Sequence, residues 1–247
     1  MLSAVAFLPS SPLLLRSVNK DHRAELEATE QALEHLADDW YARKIETVII
    51  LTQSRFAYDD ALSVDVADPY LVDLETLGDL GPKATYHPDF GLIDDLQRSS
   101  RAQGLPVTLS TEPALPFGCA APLAALATRI KNLRIVPIST AHQLDAKEHY
   151  QFGTFLKHVI DESPKRVGVL AAGDVSLAHL AEIKVILEEK STASLLKLEP
   201  ELASRQDDAS YRPLTILFGI LENVPARAEI LSIESPFDVG FVVATFA

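Results

Sequence analysis

Apolar residues follow two rhythms along this chain. Short, continuous, β-type runs occur at Ala4–Leu8, Thr47–Leu51, Val107–Leu109, Arg134–Ser139, Arg166–Ala171, Ala228–Ile233 and Val239–Thr245. Between several of them, apolar positions recur at steps of three and four, as in Leu26, Thr29, Leu33, Leu36 and Trp40, which make one helical stripe. The same reading predicts helices near Leu92–Gln103, Ala146–Ile160 and Leu214–Leu221, a helical stretch from about Ala181, and a helix beginning near Pro122, since proline suits a first helical turn. Asn19 or Asp21 is the expected cap of the first helix, with Glu25 and Glu27 near its positive end. Thr47–Leu51 is β-branched and unbroken, as in a central strand covered on both faces. Alternation of the two rhythms favours an α/β fold over separate helical and strand regions. No repeat, low-complexity tract or Gly/Ser linker divides it, so residues 1–247 are expected to form one domain.

Residues 59–95 interrupt the rhythm with ten acids, a single Lys83, and prolines at 69, 82 and 88. They read as a long, irregular surface excursion with a short helix or strand inside it, its charge a solvated face. Composition fits a globular protein: 47% of residues are hydrophobic and 23% charged. The net charge of −13 disfavours binding to nucleic acid or to an anionic membrane, both of which call for clustered Lys and Arg. Cys119 is the single cysteine, which leaves no internal disulfide and no multi-cysteine metal site. The amino-terminal segment lacks a basic stretch ahead of an apolar run, and no run approaches the length of a membrane span, so a cytoplasmic location is expected.

The sequence has no GxGxxG, P-loop lysine, HExxH or GxSxG pattern. Gly173-Asp174 follows a strand run, which suits either an active-site loop beyond the strand ends or a turn whose aspartate caps the next segment. Seven histidines are scattered along the chain, none paired with a carboxylate at a spacing that fixes both on one metal. They read as surface or capping residues, with His179, soon after Gly173-Asp174, the best placed for function.

Several segments together resemble a known family. Leu8-Pro9-Ser10-Ser11-Pro12-Leu13-Leu14 resembles the opening P-H-P-P-L-L of the class III extradiol ring-cleaving dioxygenases and their Memo-like relatives. Ile49–Arg55 resembles their strand ending in S-P-H-G, and Asp60–Val64 continues the match. Ala172–Leu177 is similar to their S-G-D-L-S-H loop, Tyr211-Arg212-Pro213-Leu214 with Leu217-Phe218-Gly219 to their late helix, and Ser232–Phe241 to the closing S-Y-E-G-P-F-G-V-G-Y. The resemblance implies a single mixed β-sheet flanked by helices on both faces, with a pocket at the strand ends. It also implies, for active members, Fe(II) held by two histidines and a glutamate, with a further histidine moving protons.

The departures from that pattern bear on function. By this resemblance Ser10 and Ser54 stand where the two metal histidines would be, Leu177 where the loop histidine would be, and Phe117 where another pocket histidine would be; only Glu234 remains at a ligand position. A serine hydroxyl is a poor Fe(II) ligand and leucine moves no proton. The resemblance therefore implies a degenerate metal site, with no cofactor, in a pocket lined by Ser10, Ser54, Arg55, Phe117, Asp174, Leu177, His179 and Glu234. The expected protein is non-catalytic and binds a small polar or aromatic ligand, or a partner subunit in a homodimer or larger assembly. The alternative is an Fe(II) enzyme with relocated ligands, using His179 with Glu234 and Asp174. A third reading is a purely structural subunit of a dioxygenase-type complex.

Overall fold

The structure, a computed structural model, describes residues 1–20, 22–54, 58–72, 75, 84–112, 114–202 and 208–247. Its strands are β1 (Leu2–Leu8), β2 (Thr47–Thr52), β3 (Leu62–Asp65), β4 (Tyr70–Val72), β5 (Ala84–Pro88), β6 (Val107–Ser110), β7 (Arg134–Ser139), β8 (Val167–Ala172), β9 (Val175–Ser176), β10 (Ala228–Glu234) and β11 (Val239–Phe246). Its helices are α1 (Glu27–Ala42), α2 (Phe90–Gln103), α3 (Phe117–Leu126), α4 (Ala146–Glu162), α5 (Leu180–Glu189), α6 (Thr192–Lys197), α7 (Glu199–Leu202) and α8 (Tyr211–Ile220).

The main sheet runs in the order β10-β11-β1-β8-β2-β7-β3-β6. β1, β8, β2 and β7 are parallel, while β11 against β1, and β3 against β7, are antiparallel, so the sheet is mixed. Period-two alternation divides each central strand between two cores. Val5 and Phe7 of β1 and Ile49 and Leu51 of β2 face the layer of α2, α4, α5 and α8. Ala6, Leu8, Val48 and Ile50 face the layer of α1 and α3. Helices thus cover both faces, which is why Thr47–Leu51 reads as continuously apolar. Trp40 of α1 is wholly buried over Gly168 of β8, where an added Cβ would lie 2.7 Å from the indole. On the other face α4 and α8 touch backbone to backbone: a Cβ at Gly153 would stand 2.1 Å from the Ile216 carbonyl, and one at Gly219 would stand 2.2 Å from that of Tyr150.

Three local expectations are corrected. Helix α3 starts at Phe117 and carries Pro122 inside it. Its first turn is seated on the sheet, with Gly118 so close that a Cβ would come 3.0 Å from Thr52 Oγ1, and this packing outweighs the local cost of the proline. The acidic stretch is not all surface: β3 is buried at each of its four residues and pairs with β6 and β7. Asp65 tolerates this burial because its Oδ1 accepts the Ala67 and Glu112 N–H groups at 3.1 and 3.0 Å. Among the described residues, no side chain before α1, Asn19 included, caps that helix. Buried Asn19 instead donates to the Leu13 carbonyl and to Glu30, and Asp21 lies outside the described residues. The cap is supplied from the far end of the sequence, as described below.

Candidate functional site

The parallel strands β1, β8, β2 and β7 all end at one edge of the sheet, where they release the loops that begin at Pro9, Gly173, Gln53 and Thr140. After β1 the chain turns toward the α1 layer, burying Leu14 and Leu15 there; after β8 it turns toward α5 in the opposite layer. Adjacent parallel strands whose connections leave to opposite faces open a crevice beyond their carboxyl ends, where ligands of open α/β sheets bind. Ser10 and Asp174 meet across that crevice, with Ser10 N–H donating to Asp174 Oδ1 at 2.9 Å. Burial pushes the Asp174 carboxyl up, partly opposed by hydrogen bonds from Ser10 and Ser11. Asp174 is therefore a clamp on the loop after β1 rather than a cap on the segment after it. Gly173 is required beside it, because a Cβ there would lie 2.4 Å from the Ala209 carbonyl.

Around the crevice stand buried hydroxyls. Ser10 is 6% exposed, Ser54 3%, Thr52 1% and Thr140 1%. Thr140 N–H donates to the Thr52 carbonyl at 3.0 Å, which continues the β2–β7 pairing beyond the strands. Phe117 and Leu177 are about half exposed and give this edge an apolar rim. Arg55 lies outside the described residues.

Two of the residues expected in the pocket are engaged elsewhere. Glu234 ends β10, two strands from β1, and its two carboxylate oxygens accept the Ala28 and Thr29 N–H groups at 3.1 and 2.9 Å. These are first-turn amides of α1, so Glu234 is the missing cap of that helix, set against its positive end. His179 is nine-tenths buried, and its Nε2 pairs with Glu201 Oε2 of α7 at 3.2 Å, not with Asp174 or Glu234. The Fe(II) site implied by the family resemblance needs two imidazoles and a carboxylate converging on one point. Ser10 and Ser54 offer hydroxyls, and the Glu234 oxygens already serve helix amides, so these residues do not fit that ion. Among the described residues, no three His, Cys, Asp or Glu side chains are grouped to hold a metal.

A second polar cluster at the same edge was missed by sequence reasoning. His149, expected at the surface or as a cap, is 1% exposed in α4; its Nδ1 lies 2.8 Å from the Asp145 carbonyl, and burial lowers its pKa. Tyr211 is buried at the start of α8, and Arg212, 8% exposed, donates to the His142 carbonyl at 3.1 Å. The helical spacing of His149 with Phe152 and Leu156 marked it as inward-facing; only its polarity argued for the surface. His22, His35, His87, His142 and His158 remain wholly or partly exposed. Cys119, in the first turns of α3, is sealed in the core, which pushes its thiol up to about 12.

Comparison with known proteins agrees with this architecture. The chain is 21% identical to Protein CA_C1420 of Clostridium acetobutylicum, in an alignment covering 98% of this chain and 57% of that protein. It thus spans little more than half the length of that curated relative. Its fold is shared with the crystal structure of an uncharacterized protein, JW3007, from Escherichia coli K12, at a TM-score of 0.62 and 15% identity, covering 99% of this chain and 100% of the other. The family model described as the catalytic LigB subunit of aromatic ring-opening dioxygenase matches residues 4–184, from β1 through the crevice loops into α5, and the chain belongs to that family.

Proposed function

We propose that this chain is a dioxygenase-like protein that does not use non-haem iron at the family's position. In this reading it acts by binding a small polar or aromatic ligand at the crevice between β1 and β8. The observation that carries the reading is the engagement of Glu234, whose carboxylate meets two α1 amides at 3.1 and 2.9 Å, and the family resemblance adds serines at the positions of its histidines. A carboxylate placed as a helix cap has little reason to leave for a metal that no imidazole helps to hold. The buried hydroxyls of Ser10 and Ser54 supply hydrogen bonds to a ligand's polar end, and the half-exposed Phe117 and Leu177 supply contact to an apolar face. Residues 1–247 act in this reading as one cytoplasmic domain, free to pair with a second copy or a partner subunit.

The test is metal content after anaerobic reconstitution with Fe(II), measured on the wild type and on Glu234→Ala. The expected result is no stoichiometric iron in either protein. One iron per chain in the wild type, lost in Glu234→Ala, would overturn the reading and direct attention to catechol cleavage. Iron that survives Glu234→Ala but disappears in His179→Ala would instead establish relocated ligands.

A further inference from the structure

A cleft of about 360 Å³ opens between α1, α3 and the loop after β1, and none of the crevice residues lines it. Its floor is apolar: Leu14 and Leu15 come from the loop, Leu33 and Ala37 from α1, and Ala124 and Ala125 from α3. Leu14, Leu15, Leu33 and Ala37 are buried. An alanine side chain stops at Cβ, so Ala37 on one wall and Ala124 and Ala125 on the other leave space between them that no side chain fills. Glu30, Leu33, Glu34 and Ala37 fall at steps of three and four, which puts two carboxylates and part of the floor on one face of α1.

Opposite charges stand together at the rim. Arg16 reaches from the loop to α1, where its Nε donates to Glu30 at 3.0 Å and its outer nitrogen contacts Glu34. Glu30 is also held by Asn19 Nδ2 at 3.2 Å and by Arg23 at 3.3 Å, so it fixes the inner edge of the Arg16 guanidinium. Glu34 differs: it is more than half exposed, and among the described residues Arg16 is its one partner. Further along α1, Asp38 takes Arg129. Arg16 and Arg129 balance Glu30 and Glu34, so the lining has no net charge to draw in a simple anion or cation. An exposed ion pair contributes little to stability, so Arg16 and Glu34 part at small cost. Parting frees a guanidinium edge and a carboxylate side by side above an apolar floor.

We propose that this cleft binds the zwitterion of a small apolar α-amino acid, such as leucine. Its carboxylate takes the outer edge of the Arg16 guanidinium, its ammonium group donates to Glu34, and its side chain covers Leu33, Ala37 and Ala124. A ligand with both charges replaces both halves of the Arg16–Glu34 pair, whereas one with a single charge leaves the other half unpaired. The gain then comes from the apolar side chain removed from water. At about 360 Å³ the cleft stands at the low end of the ~300–1,000 Å³ range of small-molecule sites, which suits one amino acid rather than a larger ligand. This goes beyond the reading of the crevice and holds whether or not the chain binds iron there.

The probe is L-leucine, titrated into the 15N-labelled chain while the amides of residues 14–16, 30–37 and 124–129 are followed by NMR. The controls are isocaproate, which is leucine without its ammonium group, isoamylamine, which is leucine without its carboxylate, and glycine, which lacks the apolar side chain. The expected outcome is a saturable shift of these amides with leucine, and binding weaker by tenfold or more for each control. Glu34→Gln, at an exposed position, should weaken leucine by tenfold or more, and Ala124→Leu, which fills the floor, should abolish the shift while amides elsewhere keep their wild-type positions. No saturable shift, equal binding of any control, or unchanged affinity in Glu34→Gln would overturn the proposal. Shifts confined to the loops at Ser10, Thr140 and Asp174 would overturn it as well, because leucine would then be a ligand of the crevice.

Discussion

Replacing Glu234 separates two roles for the same carboxylate. As a cap it satisfies the Ala28 and Thr29 amides, which, among the described residues, no side chain near the start of α1 reaches. Losing a cap costs about 0.5–2 kcal/mol. An anion at a helix's positive end adds ~0.3–1 kcal/mol, part of which the capping figure already contains. Glu234 is partly solvent-accessible, so water replaces some of what is lost. Glu234→Ala is therefore expected to destabilise the fold by about 1–2 kcal/mol. For a chain of this length that lowers Tm by roughly 2–8 °C. Glu234→Gln keeps one carbonyl oxygen but no charge and should fall between the two. The assay is urea unfolding of the three proteins at neutral pH, with hydrogen exchange of the Ala28 and Thr29 amides as a local readout. Exchange there should quicken in Glu234→Ala even if α1 stays formed. Unchanged stability and unchanged exchange, within error, would refute the capping argument and leave Glu234 a carboxylate free for other work.

Three further outcomes test other parts of the structure. Gly153→Ala drives a methyl group to 2.1 Å from the Ile216 carbonyl, so α4 and α8 must separate; thermal unfolding should show a loss of about 3 kcal/mol or more, and a loss below about 1 kcal/mol would mean the helices do not cross there. Tyr211→Phe removes a buried hydroxyl with no close hydrogen-bond partner among the described residues beyond its neighbour Thr215, so stability in urea should stay level or rise by up to about 1 kcal/mol, whereas a marked loss would reveal a strong partner for Oη. His149 is held neutral by burial, its folded pKa lying below the unfolded value near 6.5. Its contribution is therefore fully present above about pH 6.5 and is lost as pH falls toward the folded pKa, because the unfolded chain then binds the extra proton. Unfolding titrations should show a smaller loss between pH 7 and 5 in His149→Gln than in the wild type; equal pH dependence would mean His149 does not titrate on unfolding.

Most of the fold is legible in the sequence because period and turn chemistry are local properties. Arg134–Ser139 coincides with β7, and Ala146–Ile160, Leu92–Gln103 and Val239–Thr245 fall inside α4, α2 and β11. The apolar run of β2 declares a strand covered on both faces, and the ordered motifs from Leu8 to Phe241 identify the family. Pro122 misled because its helix is held by contact with Thr52, which no local rule contains. Asp65 misled because composition counts a charge as solvated, whereas two backbone amides brought from residues 67 and 112 make its burial tolerable.

The candidate site divides along the same line. Sequence alone determined that hydroxyls and apolar side chains, and no imidazoles, stand at 10, 54, 117 and 177, the positions that the family resemblance matches to its histidines. Only the tertiary structure decided what those residues do. It brought Asp174 across 164 positions to clamp Ser10, committed Glu234 to a helix 205 residues earlier, and turned His149 inward between two helices. The physical reason is that a hydrogen bond is fixed by distances of about 3 Å and by burial. Both are set by how strands and helices pack, and neither is written in the spacing of residues along the chain.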